Sequence, residues 1–448
     1  MSAELIIFVM FGAMIVLLMT GRHIFAVVGF VAVVTALRLW GGSGGIDMAF
    51  FGGYSTIVKW YPLLSIPLFV FMGLTLSRSG LGEDLFNSMH LWFGHVRGGL
   101  AMGTVGLCSI IATMSGLSVA ATTISGTIAL PAMLKRGYNK KLAVGTVQSA
   151  GALGFLIPPS IVFILYGMIA RVTIGHLWIA GILPGVLLAS LYIGYIVIVA
   201  RRHPNMAPAI PPVERPKWRE KIASLKVGLT PLILIFLVMG LLYMGATTII
   251  ECGAVGAVGA LVVAAIHRRL NRAMFRDVLD QTLHVTCLIM WIFAAAILFG
   301  AIFDGLGAVD AIKNIFTQVG VSGIGIIALM LASFVGMGMI LDDTAMLLVV
   351  APLYIPVVQG LGYSLVWFGV LYVITCQMAY ITPPFGYNLF IMRGIAPKDV
   401  TLTDIYKSAL PFVAVQAIAL VILMLFPQIS LWLPQMLFGP VIGLGTIG

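Results

Sequence analysis

Two short stretches of this chain carry oxygen-rich chemistry inside apolar surroundings. The first reads Thr113-Met114-Ser115-Gly116-Leu117-Ser118-Val119-Ala120-Ala121-Thr122-Thr123-Ile124-Ser125-Gly126 and is dense in hydroxyls. The second reads Gly336-Met337-Gly338-Met339-Ile340-Leu341-Asp342-Asp343-Thr344 and sets two carboxylates side by side. Hydroxyl, carboxylate and backbone carbonyl oxygens suit a hard cation such as Na+, and glycine lets the chain turn so that its carbonyls can point at one. Ionisable residues within a membrane are costly and mark functional sites. Ser, Thr and Gly also serve ordinary membrane-helix contacts, and one Asp of the pair could cap the helix that follows it; both readings stay open.

Each stretch is followed by a proline doublet, in Gly154-Phe155-Leu156-Ile157-Pro158-Pro159-Ser160 and in Tyr380-Ile381-Thr382-Pro383-Pro384. Adjacent prolines remove two N–H donors and break a helix. Carbonyls near Gly154 and Ile157 are thereby freed as acceptors. The half-helix starting near Ser160 aims its positive N-terminus at the same region, a natural place for an anion. A cation beside an anion stabilises both, which gives coupled transport a physical basis.

These residues need elements to hold them at depth. Apolar residues make up 61% of the 448, charged residues only 9%, and mean hydropathy is +1.11. Such a chain is a polytopic membrane protein, since a spanning helix needs about 20 apolar residues. Spans are expected near 5–20, 24–43, 60–77, 142–170, 178–200, 228–245, 250–267, 282–303, 366–392 and 408–427. Two further apolar stretches, 98–134 and 324–358, each fit one re-entrant hairpin or two short spans; either way the chain returns to its starting side. The N-terminus lacks the basic start of a signal peptide.

The chain is nearly duplicated. Pro158-Pro159 recurs as Pro383-Pro384, 225 residues later. The same offset relates Gly80-Leu81-Gly82 to Gly305-Leu306-Gly307, Gly98 to Gly323, Pro131 to Pro356, and Gly137-Tyr138 to Gly362-Tyr363. Leu183-Pro184 matches Leu410-Pro411 with a slip of two. Paired Gly/Pro-interrupted apolar segments in matching halves point to the binding site of a secondary transporter.

Charge sets the orientation. Of the 25 Lys and Arg, all but Arg38, Lys59, Arg171 and Lys313 fall on one side of the expected spans, which places that side in the cytoplasm and both termini outside. Each half has an odd number of crossings plus one hairpin, so the halves are expected to be inverted, with their hairpin tips meeting near the midplane. The Pro- and charge-rich segment 201–226 joins them and is expected to run along the headgroups. The net charge of +10 follows from the same asymmetry and does not call for nucleic acid. No GxxxxGK[ST] loop is present, which excludes an ATP pump in this chain. Cys108, Cys252, Cys287 and Cys376 stand singly, so neither a metal site nor a disulfide framework is indicated. Glu251, at a tight link between crossings, sits either at the outer interface or in a direct role.

The runs Ser115-Gly116-Leu117-Ser118-Val119-Ala120, Pro131-Ala132-Met133-Leu134-Lys135-Arg136-Gly137-Tyr138, Leu153-Gly154-Phe155-Leu156-Ile157-Pro158-Pro159-Ser160, Leu341-Asp342-Asp343, Phe368-Gly369-Val370 and Thr382-Pro383-Pro384-Phe385-Gly386-Tyr387-Asn388-Leu389-Phe390 closely resemble the large membrane subunit of TRAP transporters, the tripartite ATP-independent periplasmic systems. The resemblance covers nearly the whole chain. Two positions depart from the family pattern: Leu117 stands where Ser is frequent, so no hydroxyl is offered there, and Thr248-Ile249-Ile250-Glu251-Cys252 replaces a Thr-Pro-Thr-Glu-Ala run.

The resemblance implies an all-α inverted repeat with two re-entrant hairpins that works as an elevator. It would take up an organic anion, such as a C4-dicarboxylate, coupled to two or more sodium ions and with no organic cofactor. By motif, a first sodium site carries to Ser115, Ser118, Gly154, Ile157 and Pro159, and a second to Gly338, Asp343, Thr382 and Pro384. Substrate contacts are expected at Ser118, Thr122, Ser160, Asp342 and Asn388. Implied partners are a small four-helix membrane subunit on a separate polypeptide, a periplasmic substrate-binding protein and membrane lipid, with the chain in a bacterial inner membrane. Segments 1–97 and 226–323 would form a scaffold. Segments 98–200 and 324–430 would form a transport body, with 201–225 as linker and 431–448 as a tail. Two other readings stay open: a stand-alone sodium/dicarboxylate symporter, and a channel. A membrane enzyme lacks a catalytic constellation to support it.

Overall fold

The computed structural model describes residues 3–40, 42–47, 61–116, 118–209, 217–307, 322–339, 341, 343–384 and 386–439. Leu117, Asp342 and Phe385 lie outside them, as do Lys59, Arg215 and Lys313. Among the described residues there is no strand.

The first half begins with α1 (Ala3–Leu18), α2 (Ile24–Thr35), the short α3 (Gly42–Asp47) and α4 (Ser65–Arg78). It continues with α5 (Leu81–Phe93), α6 (Gly99–Ser115), α7 (Ser118–Lys135), α8 (Lys140–Gly151), α9 (Ile161–Ala170) and α10 (Ile174–Arg202). The second half has α11 (Trp218–Tyr243), α12 (Ile249–Ile266), α13 (Arg272–Gly305), α14 (Gly323–Gly338) and α15 (Asp343–Gly360). It closes with α16 (Leu365–Ile381), α17 (Tyr387–Ile395), α18 (Leu402–Leu425) and α19 (Gln428–Phe438). Five described stretches are long and apolar enough to cross a bilayer by themselves: Tyr61–Arg78, Ile174–Arg202, Ile249–Ile266, Arg272–Gly305 and Leu402–Leu425.

Contacts between the halves come in exchanged pairs. Helix α7 packs on α17, and α9 on α15; α8 packs on α18, and α10 on α16; α4 packs on α12, and α2 on α13. The duplicated sequence thus keeps duplicated packing. Gly137 and Gly362 both have φ +77°, a left-handed turn that favours glycine, and each precedes a tyrosine. Tyr138 OH accepts a hydrogen bond from Leu100 N at the start of α6 (3.2 Å). The equivalent Tyr363 OH lies beside Gly323 at the start of α14.

The helices preceding the two proline doublets run through the core. Residues Leu142–Gly151 of α8 and Val366–Ile381 of α16 are buried without interruption. A helix apolar on every face belongs inside a larger body. Their ends are polar where the chain must open, at Gln148, Ser149, Thr375 and Gln377, all fully buried.

Four readings of the sequence need amendment. Helix α5 is an additional element: Leu81, Leu85, Phe86 and Ser88 are buried, a helical spacing that anchors one face on α6 and α11. The long α13 starts at Arg272, capped by the Asn271 side chain, which accepts from Met274 N (2.8 Å); its polar first turns hide it from a hydropathy reading that begins at 282. The segment read as linker to 225 is already helical from Trp218. Trp218 stacks edge-on against Trp92, and Lys221 lies over both rings at 5.4 and 5.9 Å. The segment read as a tail from 431 begins inside α19, which packs on α10.

Candidate functional site

The first hairpin turns at Gly116, whose φ of +62° is left-handed. A Cβ there would lie 2.7 Å from the Pro159 carbonyl oxygen, so the tip rests directly on the first helix break. Ser115, Gly116, Pro159 and Ser160 line one small gap with Phe69, Met72, Ile161 and Ile164. Ser115 is buried at the end of α6, where its Oγ donates to the Ile111 carbonyl (2.9 Å). Helix α4 comes close because Gly73 has no side chain: a Cβ there would lie 2.6 Å from Ser115 Cα.

The break itself is compact. A 3-10 turn, Ala152–Phe155, follows α8 and carries Gly154. Ser160 caps α9: its Oγ accepts from Phe163 N (3.4 Å) and donates to the Phe155 carbonyl (2.6 Å). The Ser160 carbonyl accepts from Trp178 Nε1 (3.1 Å). Ile157 is half-buried and fills the space left by Gly185. Thr122 packs against Gly151, where no Cβ intrudes, and its buried Oγ1 has no hydrogen-bond partner among the described residues.

The second half builds a matching corner. Both proline doublets contain a cis bond, Pro158-Pro159 and Pro383-Pro384. Gly338, at the end of α14, packs against Ala379 of α16, one turn before Thr382. Thr382 donates back to the Met378 carbonyl. Pro384 is exposed, and its carbonyl accepts from Tyr406 OH (2.9 Å). Asp343 is the first residue of α15. The two breaks touch: the Phe155 ring meets the Tyr380 ring edge-on at 4.7 Å, and Tyr380 neighbours Tyr387 at 5.6 Å. The breaks therefore form the centre around which the tips are arranged.

Ser118, the first residue of α7, is buried and bonded across the repeat to Asn388, with Oγ–Oδ1 and Oγ–Nδ2 distances of 3.2 and 3.1 Å. Asn388 Nδ2 also donates to the Gln148 carbonyl (2.9 Å). Gln148 was not singled out from sequence, nor were Phe155 and Tyr380 as a bridge. A glutamine in a wholly buried helix was the available signal. Glu251 is exposed and closes a capping box with Thr248 (2.7 Å to Thr248 N).

A cavity of about 680 Å³ begins at this centre. Ser118, Phe155, Tyr380 and Tyr387 line one part, Thr123 and Thr127 continue along α7, and Arg78 and Glu83 line another. Gln281 and Leu288 of α13 form the opposite wall. Arg78 is bonded to Asp277 of α13 (3.3 Å). The space thus separates α7 from α4 and α13. Among the described residues no cluster of three or more His, Cys, Asp or Glu is placed to hold a metal.

Residues 11–429 match the family described as tripartite ATP-independent periplasmic transporter, DctM component. The chain is 32% identical to the C4-dicarboxylate TRAP transporter large permease protein DctM of Pseudomonas aeruginosa over 84% of its own length and 87% of that protein. It is 27% identical to the ectoine TRAP transporter large permease protein TeaC of Halomonas elongata, over 96% and 99% of the two chains. These relatives are permeases, not enzymes. Among solved structures it resembles the Alcanivorax borkumensis YdaH transporter, with TM-score 0.66 and 14% identity over 88% of this chain and 90% of that one. It also resembles Neisseria gonorrhoeae MtrF, with TM-score 0.59 and 16% identity over 90% and 87%. Both likenesses concern the fold.

Proposed function

The chain belongs to the DctM-component family of tripartite ATP-independent periplasmic transporters, and from that premise we propose that it couples uptake of a small organic anion to the sodium gradient. It works in the bacterial inner membrane as the large subunit, beside a separate small membrane subunit and a periplasmic binding protein that delivers the substrate. The halves form an inverted repeat: exchanged contact pairs such as α7–α17 with α9–α15 are those of a pseudo-two-fold relation.

Helix lengths support re-entrant hairpins. At 1.5 Å per residue the 17 residues of α6 reach about 25 Å, short of a hydrocarbon core of about 30 Å. The 10 residues of α9 and 9 of α17 would cover about half of it, a length that supports breaks near mid-depth. Non-helical backbone is tolerated there only when buried in protein or lining a wet cavity, and both conditions hold at this centre.

The observation that carries the proposal is the meeting of the interrupted helices: Gly116 on the Pro159 carbonyl, and Phe155 on Tyr380. Sodium would be held by oxygens of Ser115, Ser118, Gly154, Ile157 and Pro159, and in the second corner by Gly338, Asp343, Thr382 and Pro384. The anion would sit between them, against Ser118, Thr122 and the N-terminus of α9 at Ser160; Asp342, also expected there from sequence, lies outside the described residues. The cavity extends toward Arg78, on the positively charged side, as expected of an inward-facing arrangement. Helices α6–α10 and α14–α18 then move as one body against a scaffold of α2, α4, α12 and α13. Sodium orders the tips and supplies positive charge for the anion, and by reciprocity the anion tightens sodium.

Proteoliposomes test this. With the small subunit and binding protein present, an inward sodium gradient is expected to drive uptake of a labelled carboxylate without ATP. Equal uptake by this chain alone would favour a stand-alone symporter. Uptake indifferent to the sodium gradient would reject the coupling.

A further inference from the structure

Three fully buried polar groups from distant parts of the chain meet at Asn388: Ser118 at the start of α7, the Gln148 backbone within α8, and Asn388 itself in the first turn of α17. Building on the sodium-coupled reading above, we propose that Asn388 is a positioning residue that sets the Ser118 hydroxyl for the transported cation, its own orientation fixed by the Gln148 carbonyl.

A carbonyl oxygen only accepts, so the group 2.9 Å from Gln148 O must be the amide nitrogen. That identifies which end of the Asn388 amide is which, a choice that geometry alone leaves ambiguous. Both ends then remain within reach of Ser118 Oγ, the nitrogen at 3.1 Å and the oxygen at 3.2 Å. Asn388 can therefore donate to the serine or accept from it.

A cation near Ser118 Oγ repels the hydroxyl proton. That proton needs an acceptor on the far side, and Asn388 Oδ1 is one. Donating to it turns the serine lone pairs toward the ion. Without the ion the serine accepts from Nδ2 instead, and the bond from Nδ2 to the Gln148 carbonyl is kept in both conditions. Gln148 is tied in turn to the second half, its Nε2 donating to Ser408 Oγ (3.0 Å). The amide's orientation is thus held by packing between α8 and α18 rather than by the ligand.

Asn388 is close to the expected anion position, yet each of its donor and acceptor atoms already has a protein partner. This favours positioning over direct substrate contact. The sequence resemblance places Asn388 among the substrate contacts; the pairing with Gln148 and Ser118 supports a positioning role for it instead.

The test uses the full chain purified with its small membrane subunit. Thermal stability is followed while NaCl replaces choline chloride at constant ionic strength. For Asn388→Ala the sodium concentration giving half the stabilisation is expected to rise about fivefold, the size of one net hydrogen bond. In a Ser118→Ala background the same change is expected to add nothing further, since both act through one hydroxyl. If Asn388→Ala does not fold, Asn388→Leu, of similar volume and without hydrogen-bonding groups, is read with the same expectation. A variant whose sodium-free melting temperature falls while its half-saturating sodium is unchanged overturns the proposal and leaves coupling intact. An equal rise in the Ser118→Ala background also overturns it. A wild-type complex that sodium does not stabilise removes the coupling reading and this inference with it.

Discussion

Gly116 is the residue on which the first corner turns. Its φ of +62° and the 2.7 Å between a built Cβ and the Pro159 carbonyl leave no room for a side chain. Gly116→Ala is expected to cost about 1–2 kcal/mol from the left-handed backbone, with a further loss because the tip must lift off the break. Reduced melting temperature and a larger fall in uptake would register it; uptake unchanged from wild type would mean that the tip and break are not in functional contact. In the second corner, Asp343→Ala is expected to weaken sodium dependence, and sodium activation of uptake identical to wild type would reject that assignment. The hydroxyl-rich tip and the proline doublets were legible in the sequence because Gly, Pro and Ser have local conformational meaning. The Asn388–Gln148 contact was not: it joins positions 240 residues apart, and no local pattern encodes it.

At the scale of elements, duplication made the fold readable. A common offset located both hairpins and both broken helices, because each depends on Gly and Pro at fixed places. What escaped were elements whose signal is amphipathic or polar. Helix α5 buries only one face, and the first turns of α13 carry Arg272, Arg276, Asp277 and Asp280, so hydropathy passed over both. One inter-element tie can be tested by pH. Lys140, at the start of α8, reaches across to Asp399 between α17 and α18, with Nζ 2.7 Å from Oδ2. The hydrogen bond from Lys140 holds the Asp399 carboxyl below its ordinary range. A lowered folded-state value means a stabilisation that is present above the unfolded value and lost as pH falls through the folded one. The pair is exposed, so its effect is small. Melting curves of wild type and Asp399→Asn are expected to differ slightly near neutrality and converge below about pH 4. A difference that persists unchanged in acid would contradict the pairing.

For the whole molecule, the proposed function requires a still scaffold and a moving body, which the 680 Å³ cavity separates along part of their boundary. The walls of that cavity belong on one side to α7, and on the other to α4 and α13. The boundaries of such a division come from composition and repeat register. The direct measurement is a distance between the two bodies. Spin labels at Leu283 on α13 and Ile198 on α10, both exposed, can be placed after the exposed Cys287 is replaced. Pulsed electron-resonance distances in lipid are expected to show two populations whose ratio shifts between sodium-free and sodium-plus-carboxylate conditions. A single distance, unchanged in every condition while the same sample still performs uptake, would contradict the moving-body account.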